Sequence, residues 1–153
     1  ALAADELDKR ILKHLQEDSK KTNKEIANDL KLSVTAIYER IKKLERDGII
    51  AKYVALVNPE SVGKGFMVLC QIKLIQHKKE ILTKFEKDIT SLPEVIECLH
   101  VSGDYDYILK VLVKDMDEYR EFMVAKLTSL DHIGSTKSVF TINKVKQSTI
   151  INL

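Results

Sequence analysis

The sequence predicts an α+β chain in two parts, a three-helix unit followed by an alternating run of strands and helices. Three observations carry this. Apolar residues up to Leu44 recur every three or four positions. Asn58-Pro59-Glu60-Ser61 then interrupts the chain with residues that favour turns. Beyond it, runs with a period of two alternate with runs of helical period. The 153 residues are 44% hydrophobic, enough for each part to bury a core. The domain boundaries fall at 1–57 and 58–153.

From Asp5, which suits an N-cap, Leu7, Ile11, Leu12 and Leu15 lie on one helical face. The polar stretch Glu17 to Lys21 ends that pattern. Thr22 with Glu25 has the spacing of a capping box and opens a short second helix with Ile26, Ala27 and Leu30 inward. Lys31-Leu32-Ser33 is the turn, and Ser33 can cap a third helix whose inward residues are Val34, Ile37, Ile41 and Leu44. Gly48 stops it, and Ile49 to Val57 reads as an extended linker strand. Three helices followed by a strand give a winged helix-turn-helix.

In the second part, Phe66 to Ile75 reads as a strand, and Lys78 to Ser91 as a helix burying Ile81, Leu82, Phe85 and Ile89. Val95 to Val101 and Tyr107 to Val113 read as strands joined by a tight Ser102-Gly103-Asp104 turn. Asp115 with Glu118 forms another capping box, opening a helix that buries Tyr119, Phe122, Met123, Leu127 and Leu130. Ser135 to Val145 is the last strand. The order βαββαβ is the ferredoxin-like arrangement, two helices on one face of an antiparallel sheet. The strand from Phe66 is apolar on both faces, with Met67, Leu69 and Ile75 on the second. Only one face meets its own helices, so the other is a subunit interface or a contact with the N-terminal part.

Bulk composition excludes several classes. With 25 basic and 23 acidic side chains the net charge is +2, and the small excess lies in residues 1–57, which hold 12 Lys/Arg against 10 Asp/Glu. Cys70 and Cys98 form no C-x-x-C pair, so neither zinc nor thiol redox chemistry is indicated, no cofactor is expected, and a reduced cytoplasmic protein is the simplest reading. No apolar run approaches the roughly 20 residues needed to cross a bilayer. The N-terminus has no basic region leading into an apolar core, so no export signal is expected.

The outer face of the third helix carries Thr35, Ala36, Tyr38 and Glu39 near its start, then Arg40, Lys42, Lys43 and Arg46. Short or planar polar groups at the N-terminal end can reach base edges, and cations can hold phosphates. Thr35 and Tyr38 are the candidates for base contact, with Ser33, Ala36 and Glu39 beside them; Arg40, Lys42 and Lys43 are the candidates for phosphate. Arg40 lies close to the Ile37 and Ile41 face, where pairing with an internal carboxylate is the competing role. On pattern alone, an ordinary solvated helix face fits equally well.

A longer match separates these readings. Ser33-Val34-Thr35-Ala36-Ile37-Tyr38-Glu39-Arg40-Ile41-Lys42-Lys43-Leu44-Glu45-Arg46-Asp47-Gly48-Ile49-Ile50 resembles the signature of the leucine-responsive regulator/AsnC (Lrp/AsnC) family, the feast/famine transcription regulators. So does the opening Leu7-Asp8-Lys9-Arg10-Ile11-Leu12. Val101-Ser102-Gly103-Asp104-Tyr105-Asp106-Tyr107 resembles the family's effector-domain hairpin, and the resemblance runs from Leu7 to the end of the chain. It implies a DNA-binding head reading double-stranded DNA and a second domain that senses an amino acid. It also implies a homodimer that assembles into an octamer or similar, with the effector bound between neighbouring dimers. The candidate effector residues are Val101, Ser102, Gly103, Asp104, Tyr105 and Asp106, with Ser135 and Thr136 at the start of the last strand. The hairpin's backbone N–H groups suit an α-carboxylate and the Asp104 carboxylate suits an α-ammonium. Taken alone, this segment reads first as an ordinary turn.

Two rivals remain open at this stage. Ferredoxin-like folds host enzymes, but His14, His77, His100 and His132 are scattered and no H-E-x-x-H or G-x-S-x-G occurs, so no catalytic set is expected. Gly63-Lys64-Gly65 is no phosphate-binding loop, and Asp104 with Asp106 does not complete a metal site. The second rival is a ligand-sensing module that contacts a protein partner.

Overall fold

The computed structural model describes residues 3–153. These divide into two compact units: the described residues up to Leu56 together with Val145–Leu153, and Val57–Lys144.

The first unit contains α1 (Glu6–Glu17), α2 (Asn23–Leu30) and α3 (Val34–Arg46). Each begins at a side-chain cap. The Asp5 carboxylate accepts from the Asp8 amide, and the Asp8 carboxylate accepts from the Asp5 amide, a reciprocal box in which Asp8 fills the third position. Thr22 accepts from Glu25 N at 3.1 Å, but no return bond from the Glu25 side chain forms, so only half of the expected box exists. Ser33 accepts from Ala36 N at 3.1 Å. Lys31, in the left-handed region at φ 58°, makes the turn between α2 and α3. Gly48, at φ 75°, takes the chain out of α3.

The core of this unit is Ile11, Ile26, Ala27, Leu30, Ile37, Ile41 and Leu44. Val34, expected inward, is 48% exposed. It lies three residues before Ile37, at the edge of the buried stripe in the first turn of α3, where no helix covers it. Ile49 and Ile50 pack on the core, but residues 51–57 form no strand ladder, so the linker is extended without being paired. Val145–Leu153 belongs to this unit rather than to the second, contrary to the 58–153 expectation. Gln16 on α1 clamps it: Gln16 Nε2 donates to Ile151 O at 3.0 Å and Ile151 N donates to Gln16 Oε1 at 2.6 Å. A pairing across 135 residues leaves no local trace in sequence.

The second unit contains β1 (Phe66–Leu74), α4 (Lys79–Thr90), β2 (Val95–His100), β3 (Tyr107–Val113), α5 (Met116–Glu121) and β4 (Ile133–Phe140). A short 3-10 turn, Glu60–Val62, precedes them. The strands order as β2-β3-β1-β4, all antiparallel neighbours, which is the ferredoxin-like topology. The last strand starts two residues earlier and stops five sooner than expected, at Phe140. On one sheet face Val68, Cys70, Ile72, Tyr107, Leu109 and Val111 meet Phe85 and Ile89 of α4 and Tyr119 of α5. Beyond Glu121 the last helix widens into a π-helical segment, Phe122–Leu127, burying Phe122 and Leu127. The Asp115 cap forms, but Glu118 turns to Lys64 and to Lys114 N instead of closing a box.

The other sheet face has no helix. Leu99 faces Ile108 and Leu69 faces Lys110 and Val139 across the strands. Leu99 is 49% and Val139 40% exposed, an apolar surface of the kind that oligomers cover.

Candidate functional site

In the first unit the site is the outward face of α3. Thr35, Tyr38 and Glu39 are exposed near its start, and Lys42, Lys43 and Arg46 further along, because Ile37, Ile41 and Leu44 consume the opposite face. Ala36 is half-buried. The Ser33 oxygen is used as a cap, leaving its hydroxyl hydrogen free to donate. The Lys42 ammonium lies 5.5 Å from the centre of the Tyr38 ring and 3.3 Å from Glu45, and Arg46 reaches Asp47 at 3.8 Å. These carboxylates hold the cations in place, and exposed pairs of this kind exchange readily for phosphate. Lys43 has no charged partner among the described residues. Arg40 departs from the expected set. Its guanidinium is directed to Asp5 and Asp8 at the start of α1, 3.2 Å from the Asp8 carboxylate, and not outward.

In the second unit the hairpin 101–106 and the first residues of β4 gather at one end of the sheet. Ile72 on β1 lies between them: its carbonyl accepts from Asp106 N at 2.8 Å, and across the other edge it pairs with Thr136, while Lys73 pairs with Ser135. Val101 N donates to Asp106 O at 2.9 Å and closes the hairpin. Gly103 sits at φ 107°, a conformation that only glycine adopts without strain. Between these anchors the N–H groups of Ser102, Gly103, Asp104 and Tyr105 have no acceptor among the described residues. Asp104 is exposed and its carboxylate has no hydrogen-bond or ionic partner among them, while Tyr105 is half-buried. A turn with several free donors and one free carboxylate can hold both ends of a zwitterion.

Asp106 is engaged differently. Its carboxylate accepts from Leu74 N at 2.8 Å and from His77 Nε2 at 3.0 Å, so it ties the hairpin to the end of β1. Burial pulls its pKa upward, but the Leu74 amide and His77 outweigh that and hold it below the ordinary 3.8. A carboxyl depressed in the folded state contributes stability that is complete above its unfolded value and is lost as pH falls through the folded one. Between about pH 5 and pH 2, thermal melts should therefore show wild type losing more stability than Asp106→Asn. Identical pH profiles would show that the tie contributes nothing.

His77, which sequence reading left unassigned, is thus part of the hairpin's support. His100, although exposed, stacks on Tyr107 with ring centroids 4.5 Å apart. Cys98 is pushed up to about 11 by burial and then by Glu86, which leaves it an unreactive thiol. Both cysteines are free. Among the described residues no group of His, Cys, Asp and Glu could hold a metal, and no helix is long and apolar enough to cross a membrane.

The same two-part layout is found in known proteins. Residues 5–51 match the family model "Winged helix-turn-helix DNA-binding", and residues 67–151, more than half the chain, match "Lrp/AsnC ligand binding domain". The chain belongs to the Lrp/AsnC family. It is 37% identical over 151 residues to the leucine-responsive regulatory protein of Haemophilus influenzae, covering 99% of this chain and 91% of that one. Its fold matches the crystal structure of an AsnC family transcriptional regulator from Agrobacterium tumefaciens with a TM-score of 0.93, at 35% identity and 97% coverage of both chains. It matches equally well, at 0.93 and 30% identity over 98% of this chain and 97% of that one, a transcriptional regulator from Neisseria meningitidis solved in complex with L-Met. As an Lrp/AsnC protein the chain is a transcription regulator with a helix-turn-helix DNA-binding part and a ligand-binding part. Its relatives are transcription regulators and not enzymes.

Proposed function

We propose that the chain regulates transcription by reading operator DNA with the outer face of α3 and by sensing an amino acid at the 101–106 hairpin. The first unit serves as the reading head and the second as the sensing and oligomerising part. The observation that carries this is the pairing, in one chain, of an exposed cationic helix face with a hairpin whose N–H groups and Asp104 carboxylate have no partner among the described residues. Thr35 and Tyr38 read base edges, with Ser33, Ala36 and Glu39 alongside; Lys42 and Lys43 hold phosphates. Asp104 takes the ammonium and the Ser102 to Tyr105 amides take the carboxylate, with Ser135 and Thr136 lining the side and Val101 and Asp106 fixing the hairpin. The relative solved with L-Met supports an amino acid as the class of effector.

Two concavities among the described residues, about 610 and 410 Å³, include none of these hairpin residues. Small-molecule sites bury most of their ligand's surface, so a neighbouring chain supplies the remaining walls. The uncovered sheet face with Leu69, Leu99 and Val139 is the surface for a homodimer, and further assembly to an octamer or similar would bring hairpins together. The place of action is the cytoplasm, where DNA lies and where free cysteines stay reduced.

The test is binding to a duplex selected by the protein from a random-sequence pool, measured at several salt concentrations. Affinity should fall linearly in log–log form, by roughly 0.9 in slope for each phosphate held. Lys43→Ala should weaken all sequences alike and lower that slope by about one, whereas Tyr38→Ala should change the preferred sequence. Failure to enrich any sequence from the pool would sink the proposal.

A further inference from the structure

The four carboxylate oxygens at the start of α1 are fully accounted for. Asp5 Oδ1 accepts from Asp8 N at 2.8 Å and Asp8 Oδ2 accepts from Asp5 N at 3.1 Å; the remaining oxygen of each accepts from the Arg40 guanidinium on α3. Asp8 is the one buried charged residue among those described, at 5% exposed. Two carboxylates face one guanidinium, and the positive end of the α1 dipole offsets the second negative charge. Arg40 comes from the middle of α3, three residues after Ile37 and four before Leu44, both buried. It is therefore a polar continuation of the buried stripe, reaching from the reading helix to the cap of another helix.

We infer that Arg40 is a positioning residue for DNA reading: the Asp5–Asp8–Arg40 cluster fixes the rotation and tilt of α3 against α1, and so aims Thr35 and Tyr38, without touching DNA. Apolar packing through Ile37, Ile41 and Leu44 sets the distance between helices, but sliding along such a stripe changes its energy gradually. A guanidinium held by two carboxylates that are themselves locked by backbone amides has one geometry. The cap of α1 thereby serves two functions, starting one helix and orienting another.

This rests on the outer face of α3 being the DNA-reading surface. If that reading failed, wild type itself would show no sequence preference; the present inference is judged only on variants of a protein that does. Full-length wild type, Arg40→Ala, Arg40→Lys, Asp8→Asn and Asp5→Asn are compared on the pool-selected duplex and on a scrambled duplex, over a range of salt. Measurements are made at low temperature, with circular dichroism showing the heads folded. For Arg40→Ala the ratio of specific to non-specific affinity should fall at least tenfold while the salt slope stays unchanged. Asp8→Asn should do the same, although a carboxylate cannot itself hold a phosphate, and Arg40→Lys should recover only part of the ratio. Should Arg40→Ala fail to fold, Asp5→Asn, the most exposed member, decides by the same ratio. Equal weakening on both duplexes with the slope lowered by about one would make Arg40 a phosphate contact and overturn the inference. An unchanged ratio in folded variants would reduce the cluster to a stabilising one and overturn it equally.

Discussion

Replacing Ile37 with alanine is expected to unfold the DNA-reading head while leaving the sensing unit intact. Ile37 is 0% exposed and lies where α3 packs on α1 and α2. Truncating such a residue costs about 2–5 kcal/mol, from lost burial and from the cavity that remains. A three-helix head of this size has little more stability than that to lose. The sensing unit has its own core, from Val68 to Leu127, and shares none of it with the head. Differential scanning calorimetry should therefore resolve a head transition in the variant moved to a lower temperature, well below an unshifted second one. DNA binding should vanish at 25 °C while amino acids still raise the later melting temperature. A single transition moved as a whole would show that the two cores unfold as one.

Asp104→Ala should uncouple DNA binding from the amino acid. Asp104 is exposed and unpaired among the described residues, so its removal costs the fold almost nothing. It nevertheless removes the one free carboxylate in the hairpin, and with it the proposed partner for an α-ammonium. Coupling between an effector and a second ligand is typically about 5–150-fold; in the variant it should collapse to near one, with effector-free DNA affinity unchanged. A thermal-shift screen of the common amino acids on wild type identifies the effector to use. A variant that keeps the wild-type response would move the site away from the hairpin.

Much of this was legible in the sequence because it is local. The caps Asp5, Thr22, Ser33 and Asp115 announce helices a few residues away, and all four form. Tyr107 to Val113 is a short, mostly apolar run bounded by turn residues and is a strand at those limits, with every second residue buried. What escaped notice depends on pairing between distant residues. Arg40's place beside the Ile37 and Ile41 face suggests an internal carboxylate, but the partners, Asp5 and Asp8, are fixed only when α1 folds back against α3, up to 35 positions away. His77 reads as a loop residue until the hairpin 29 positions on brings Asp106 to it. Asp106 reads as one of two acidic turn residues, yet only Asp104 remains free for a ligand. The π-helical turn at Phe122–Leu127 has no sequence signal at all, since Phe122, Met123 and Leu127 fit an α-helical stripe.

The clamp between Gln16 and Ile151 bears on how the molecule is made. Most of the head is translated first, but one of its pieces lies beyond the second unit, Val57–Lys144, which is inserted between Leu56 and Val145. A chain synthesised only as far as α3 lacks Ile151, and so cannot close the clamp. Closing the clamp thus requires that the intervening unit has already been synthesised. Closing so long a loop costs less entropy once the 88 intervening residues have folded and drawn their ends into a compact unit. Closing the clamp after the 57–144 unit has folded is therefore the entropically favoured order.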